Sequence, residues 1–209
     1  TLQANGNLNT DMPMTVHAGG ATIDSQAHTV GLGGVLSGDG GLTKLGDGVL
    51  TLTGANGYNG TTFIDGGTLR LGHASALGST VGGTIIHANG TLDLNGHGIQ
   101  GEAITVAGTV TNTGGMQMYA LRNVTLSGDA IFAGTARWDI RGSGGPLNLE
   151  GFTATKTGAD WVSLVDISIN GPGGIMVNQG TLGLTRSTWD TGTLTVNAGG
   201  TAQFQSNNP

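Results

Sequence analysis

The chain contains no cysteine, only four prolines, and only 10% charged residues in a length of 209. Without cysteine there is no disulfide framework, no thiolate metal site and no thiol nucleophile. A cytosolic chain of this size usually carries a few thiols, so their complete absence fits export. The scarcity of proline, with no three-residue glycine period, excludes collagen. Seven Lys plus Arg, unclustered in sequence, stand against 13 Asp plus Glu, giving a net charge of −6. That balance argues against nucleic acid and against anionic membrane surfaces. No apolar run approaches the roughly 18 residues that a membrane helix needs, so no membrane insertion of this segment is expected. Aromatics are 4% of the chain, too few for a broad aromatic core. No signal peptide is visible at Thr1, and the chain reads as a mature product or a piece of a longer protein.

What is abundant is glycine, with 42 residues and 36% apolar content beside it. The apolar residues come as regular Leu, Val and Ile pairs, which argues against glycine-rich disorder for the body of the chain. Only the polar end, residues 206–209, reads as disordered. In the stretch 31–72, β-type pieces such as Val49-Leu50-Thr51-Leu52 and Thr68-Leu69-Arg70-Leu71 alternate with Gly, Asn and Asp. No segment reads firmly as a helix. Residues 116–127 contain helix formers but end in Val124-Thr125-Leu126, so helix and strand fit equally; residues 152–169 alternate and read as strands.

The unit Gly-Thr-Leu-x-Leu recurs at Gly67–Leu71, Gly90–Leu94 and Gly180–Leu184, with variants from Gly192 and Gly200. A period of roughly 20 to 25 residues with two or three short strands each is the signature of a β-solenoid. Alternate residues would face opposite sides, with Leu69 and Leu71 filling a tube and Thr68 and Arg70 facing water. Glycine corners supply the positive φ that tight bends need. The expected fold is all-β, a single parallel β-helix domain over residues 1–209 with about eight to ten coils of about 23 residues, roughly 40 to 50 Å long at about 4.8 Å per coil. The rival is an antiparallel sandwich, which leaves the repeated unit unexplained.

The stretch 31–72 resembles the autotransporter-associated β-strand repeat of bacterial passenger domains. The residues that carry the resemblance are Gly38-Asp39-Gly40-Gly41-Leu42-Thr43-Lys44, Gly46-Asp47-Gly48-Val49-Leu50-Thr51-Leu52, Gly54-Ala55-Asn56-Gly57-Tyr58-Asn59-Gly60-Thr61-Thr62 and Asp65-Gly66-Gly67-Thr68-Leu69-Arg70-Leu71. The match runs best over 31–96; beyond Gly101 only the texture is similar. The resemblance implies a right-handed parallel β-helix, exported and displayed at the cell surface or released. It implies no one activity, and neither a translocator barrel nor a leader accompanies it in this sequence.

Candidate chemistry is sparse. His17, His28, His73, His87 and His97 show no zinc-ligand spacing. Asp139, Asp160, Asp166 and Asp190 stand apart in sequence, whereas glycan cleavage needs carboxylates in pairs. Gly38-Asp39-Gly40-Gly41 and Gly46-Asp47-Gly48 lack the order of a calcium β-roll and read as corners. No catalytic, metal or cofactor residue is assigned, and no cofactor is expected. The candidates for surface binding are Trp138, Trp161 and Trp189, spaced 23 and 28 residues apart, near the coil period. At equivalent corners they would form an aromatic ladder for sugars or a neighbouring solenoid; the competing role is to plug the tube. The region 116–143 departs most from the repeat and is the candidate receptor-binding segment. The leading functional expectation is therefore an extracellular structural or adhesive solenoid, on a cell surface or joined end to end as a filament through open coil ends, with a host or matrix glycan or protein as partner. The alternative is a carbohydrate-active β-helix enzyme, which requires a cleft with two nearby carboxylates.

Overall fold

A computed structural model describes residues 1–205; the 206–209 end lies outside the described residues. Every strand pairing is parallel, which removes the antiparallel sandwich. Strands stack into a 10-stranded sheet, a 13-stranded sheet and a 3-stranded sheet. The chain makes ten coils around a three-sided tube, spanning roughly 45 Å at about 4.8 Å per coil.

The first coil shows the plan. Leu2–Gln3 lies on the first face, Leu8–Thr10 on the second and Met14–Thr15 on the third. The second face is continuous through all ten coils. The third face carries Leu36–Gly38 and Gly57–Tyr58 in coils 2 and 3, has no strand in coils 4 and 5, and resumes with Gln117–Leu121 in coil 6. The long strands Trp138–Asn148 and Trp161–Asn170 then run from the third face of one coil onto the first face of the next. They fuse those two faces into the larger sheet. Residues 116–127 are thus two strands, Gln117–Leu121 and Asn123–Leu126, with a corner between them.

Coil length varies from the expected 23. Leu42 opposes Thr62, a step of 20 residues, and Val124 opposes Leu147, a step of 23. The variation sits in the corners, because register on an inward-facing column cannot slip by one residue without exposing the core. On the second face one such column runs Val30, Leu50, Leu69, Leu92, Val110, Phe132, Lys156, Val177. On the first face another runs Ile23, Lys44, Ile64, Ile86, Val106, Leu126.

Each of these two columns contains one lysine. Lys44 and Lys156 are 0% and 1% exposed. Lys44 Nζ donates to the carbonyl oxygens of Leu45, Gly46 and Gly66 at 2.9, 2.8 and 3.0 Å. Lys156 Nζ donates to those of Thr157, Gly158 and Gln179 at 2.8, 2.7 and 3.1 Å. In both cases the acceptors are the next two residues and one corner of the following coil. The ammonium satisfies carbonyls that turn inward where the strand ends, and ties two coils together. Burial pushes both ammoniums down to about 8.

Asparagine closes other corners. Asn56 accepts from Leu36 N at 2.8 Å and donates to Ala76 O at 2.7 Å, linking three coils. Asn148 and Asn170 stack at 3.0 Å. Glycine is obligatory at Gly67, where φ is +60 and a Cβ would lie 2.4 Å from the Gly46 carbonyl oxygen. The corner between third and first faces is looser: Asp166 and Arg186 both take positive φ there, 56 and 48, and Arg186 binds the Asp166 carboxylate.

Candidate interaction site on the third face

The third face loses its strands in coils 4 and 5, where residues 72–83 and 96–101 are rich in glycine. Positive φ at Gly78, Gly83 and Gly96 commits these segments to turns. They leave a recess of about 160 Å³ whose lining includes Ser75, Thr80, Gln100 and Glu102. Glu102 is 3% exposed and accepts a hydrogen bond from Thr84 Oγ1 at 2.8 Å. Burial raises its pKa and so favours its protonated form. Below it the buried Tyr58 hydroxyl pairs with Thr62 Oγ1 at 2.6 Å. Thr62 and Thr84 oppose each other in a column that is otherwise apolar, between Leu42 and Ile104. Glu102 is the one carboxylate lining this recess, so the paired acids that glycan cleavage requires are not assembled there.

Coil 6 borders the recess and is bulged. Gln117 opposes Trp138 and Leu121 opposes Ile140. Three residues, Met118, Tyr119 and Ala120, therefore face one, Asp139, where regular pairing would give one. The two extra residues push the strand outward. Tyr119 is 54% exposed, Met118 39% and the neighbouring Met116 62%. Gln117 pins the bulge by accepting from Tyr119 N at 3.0 Å and donating to Gly96 O at 3.1 Å. Gln100 reaches across it to Arg141 O at 2.9 Å.

Coil 7 supplies charge. Asp139 is fully buried, and its carboxylate receives Arg137 through Nε and Nη2 at 2.9 and 3.1 Å and Arg141 through Nη2 at 2.8 Å. One anion is shared by two guanidiniums. Arg141 lies over the Tyr119 ring, 5.0 Å from its centroid, and Arg137 over the Trp161 ring at 5.5 Å. Arg122 is held nearby through Ser143 O at 3.0 Å. Three of the seven basic residues, dispersed in the sequence, are gathered on this side of the tube.

The three tryptophans do not form a ladder. Trp138 points into the tube, 0% exposed, with its indole N–H on Ala133 O at 2.7 Å and its ring edge-on to Phe132. It opposes Val162, so Trp161 falls one register earlier, on the outward side beside Arg137. The spacing of 23 misses the local coil length of 24 by one residue, which turns the side chain to the other face. Trp189 sits on the first face opposite Ile169, its indole N–H on Thr191 O at 2.6 Å. Trp138 is thereby removed from surface binding, and it fills the tube instead. Of the dispersed carboxylates, Asp139 and Asp166 are each engaged by arginine. No group of three or more His, Cys, Asp or Glu could hold a metal ion among the described residues.

The bulge and Glu102 escaped sequence reasoning. The bulge leaves no composition signal, since residues 116–127 fit helix and strand equally and a bulge exists only against a neighbouring strand. The lysine pair did leave one: Thr-Lys-x-Gly occurs at Thr43–Gly46 and again at Thr155–Gly158.

Comparison with known proteins places this scaffold. Residues 42–71 match the model of the passenger-associated-transport-repeat. The chain is 34% identical over 134 residues to the adhesin BmaC autotransporter of Brucella suis biovar 1 (strain 1330), an alignment covering 64% of this chain and 4% of the adhesin. No solved structure matches.

Proposed function

From a β-solenoid that carries a passenger-associated transport repeat, we propose an extracellular adhesive role, with the coils as a spacer and the third face of coils 5–8 as the attachment surface. The observation that carries this reading is the two-residue bulge in coil 6. It lifts Met118 and Tyr119 out of the third face, and Met, Tyr, Trp and Arg are residue types enriched at binding interfaces and their hot spots. The adhesin similarity supports the role; it covers a small part of that protein. Surface display and export are part of the same proposal. So is end-to-end stacking. Leu8 in the first coil and Val196 and Phe204 in the last are on inward columns yet 36%, 45% and 73% exposed. A further coil, from a continuing chain or a second copy, would cover them.

The test is attachment of chain-coated beads to epithelial cells. Replacing Met118 and Tyr119 together with Ser should lower attachment about 10-fold, the loss of a single hot-spot contact, with circular dichroism unchanged. Unchanged attachment would overturn the assignment of the surface.

A further inference from the structure

We propose that Tyr119, Arg141 and Arg137 form a binding site for an acidic polysaccharide, one bearing uronate or sulfate groups; this rests on the adhesive reading of the same face. Four observations lead there. First, the guanidiniums are fixed before any ligand arrives. Arg137 is forked onto Asp139 and Arg141 is clamped between Asp139 and Tyr119, so little side-chain entropy remains to be lost on binding. Second, the charge is not cancelled. One buried carboxylate is shared by two guanidiniums, and Asp166, whose field also reaches Arg141, is itself paired with Arg186. Arg141 commits only Nη2 to a protein acceptor among the described residues; its Nε is buried and out of a ligand's reach, so the terminal nitrogens are the donors a ligand would meet. A rigid planar donor set left with unused N–H groups suits the oxygen pairs of carboxylate and sulfate.

Third, the aromatics are arranged for ring stacking. Tyr119 and Trp161 are each backed by an arginine on one side. That fixes the ring plane and leaves an amphipathic surface of the kind that apolar sugar faces cover. Fourth, the site repeats along the axis. Tyr119, Arg137 and Trp161 belong to successive coils about 4.8 Å apart, close to the length of one sugar unit. A chain polymer lying along the solenoid would therefore meet aromatic, cation and aromatic in order. An acidic peptide would use the charge and leave the ring faces unused.

The probe is a heparin-derived hexasaccharide, titrated calorimetrically into the whole chain, with a hyaluronan hexasaccharide as the uronate arm. Binding should appear with at least one of them and weaken steeply between 50 and 300 mM salt, where the screening length falls below about 10 Å. Tyr119→Ala and Arg141→Ala should each weaken it about 10-fold or more. Arg141→Lys, which keeps the charge and loses the planar fork, should recover only part. Gln203→Ala, on the same face three coils away, should change nothing. Equal affinity for neutral chitohexaose, equal affinity for polyglutamate, or full affinity in a folded Tyr119→Ala chain would each overturn the proposal. The two readings fail separately. Attachment that depends on Tyr119 without hexasaccharide binding would sink the ligand class alone. Hexasaccharide binding lost in Tyr119→Ala while cell attachment is not would sink the adhesive role alone.

Discussion

Coils 1–3 and coils 6–8 share an interior and differ in their third face. In the first group that face has strands of two or three residues, Met14–Thr15, Leu36–Gly38 and Gly57–Tyr58. In the second it has Gln117–Leu121 with a bulge, then strands of 11 and 10 residues that turn the corner. The inner columns run through both groups without interruption, and each group has one three-carbonyl lysine clamp, Lys44 in coil 3 and Lys156 in coil 8. The lesson is that the tube tolerates large changes outside provided the inward positions and corner carbonyls are satisfied. A solenoid contacts only its neighbouring coils, so an insertion in one face is absorbed locally.

The largest expected effect separates inside from outside within one region. Trp138→Ala should destabilise the chain by about 3 to 5 kcal/mol through the cavity it leaves against Phe132. Trp161→Ala, 23 residues on and half-buried, should cost less than about 1 kcal/mol. Urea unfolding followed by far-UV circular dichroism measures both. Similar losses at the two sites would break the assignment of Trp138 to the tube and Trp161 to the surface.

The lysine clamps give the next effect, and they test whether the two groups of coils are alike. A whole buried ion pair can be replaced by well-packed apolar side chains at no cost or with a gain, because no partner is left unsatisfied. Here Lys44→Met would orphan the carbonyls of Gly46 and Gly66, that of Leu45 keeping its bonds from Ser25 N and Oγ, and Lys156→Met would orphan three. At about 1 kcal/mol or more for each orphaned group, Lys44→Met should lose about 2 kcal/mol and Lys156→Met about 3 kcal/mol. A loss at Lys44 alone would mean that the resemblance beyond coil 5 is only superficial.

The same lysines set a pH dependence, smaller across ordinary buffers. Their folded values are pushed down to about 8, below the ordinary value of about 10.4. Between those limits the unfolded chain binds more protons than the folded one. Stability should therefore rise with pH from about 8 to 10. The chain carrying both Lys→Met changes should lose that slope. A titration of the lysine side-chain resonances should show two midpoints near 8, both from residues absent in the double variant.

Much of the architecture was legible in the sequence. Gly-Thr-Leu-x-Leu marked strands that do lie in register: Gly67–Arg70 pairs with Gly90–Asp93, and Gly180 with Gly200. Period-two alternation named Leu69 and Leu71 as interior, and both are 0% exposed. The site was far less legible. Which of two tryptophans faces inward depended on a single residue of register between coils. The bulge at Met118–Tyr119 exists only relative to its neighbour strand. Alternation along one strand puts Arg137, Asp139 and Arg141 on the same face, but the complete burial of Asp139 there is set by packing between coils that the sequence does not show.

The most direct test is deletion of the two extra residues, Met118 and Tyr119, which should restore regular pairing of coil 6 with coil 7. The matched control replaces Val35, an exposed apolar residue beside the third face of coil 2, with Ser. If the bulge is the attachment surface, the deletion keeps cooperative unfolding and loses cell attachment about 10-fold or more, while Val35→Ser attaches as the parent chain does. Attachment that survives the deletion, or that is lost with Val35→Ser, would contradict that assignment.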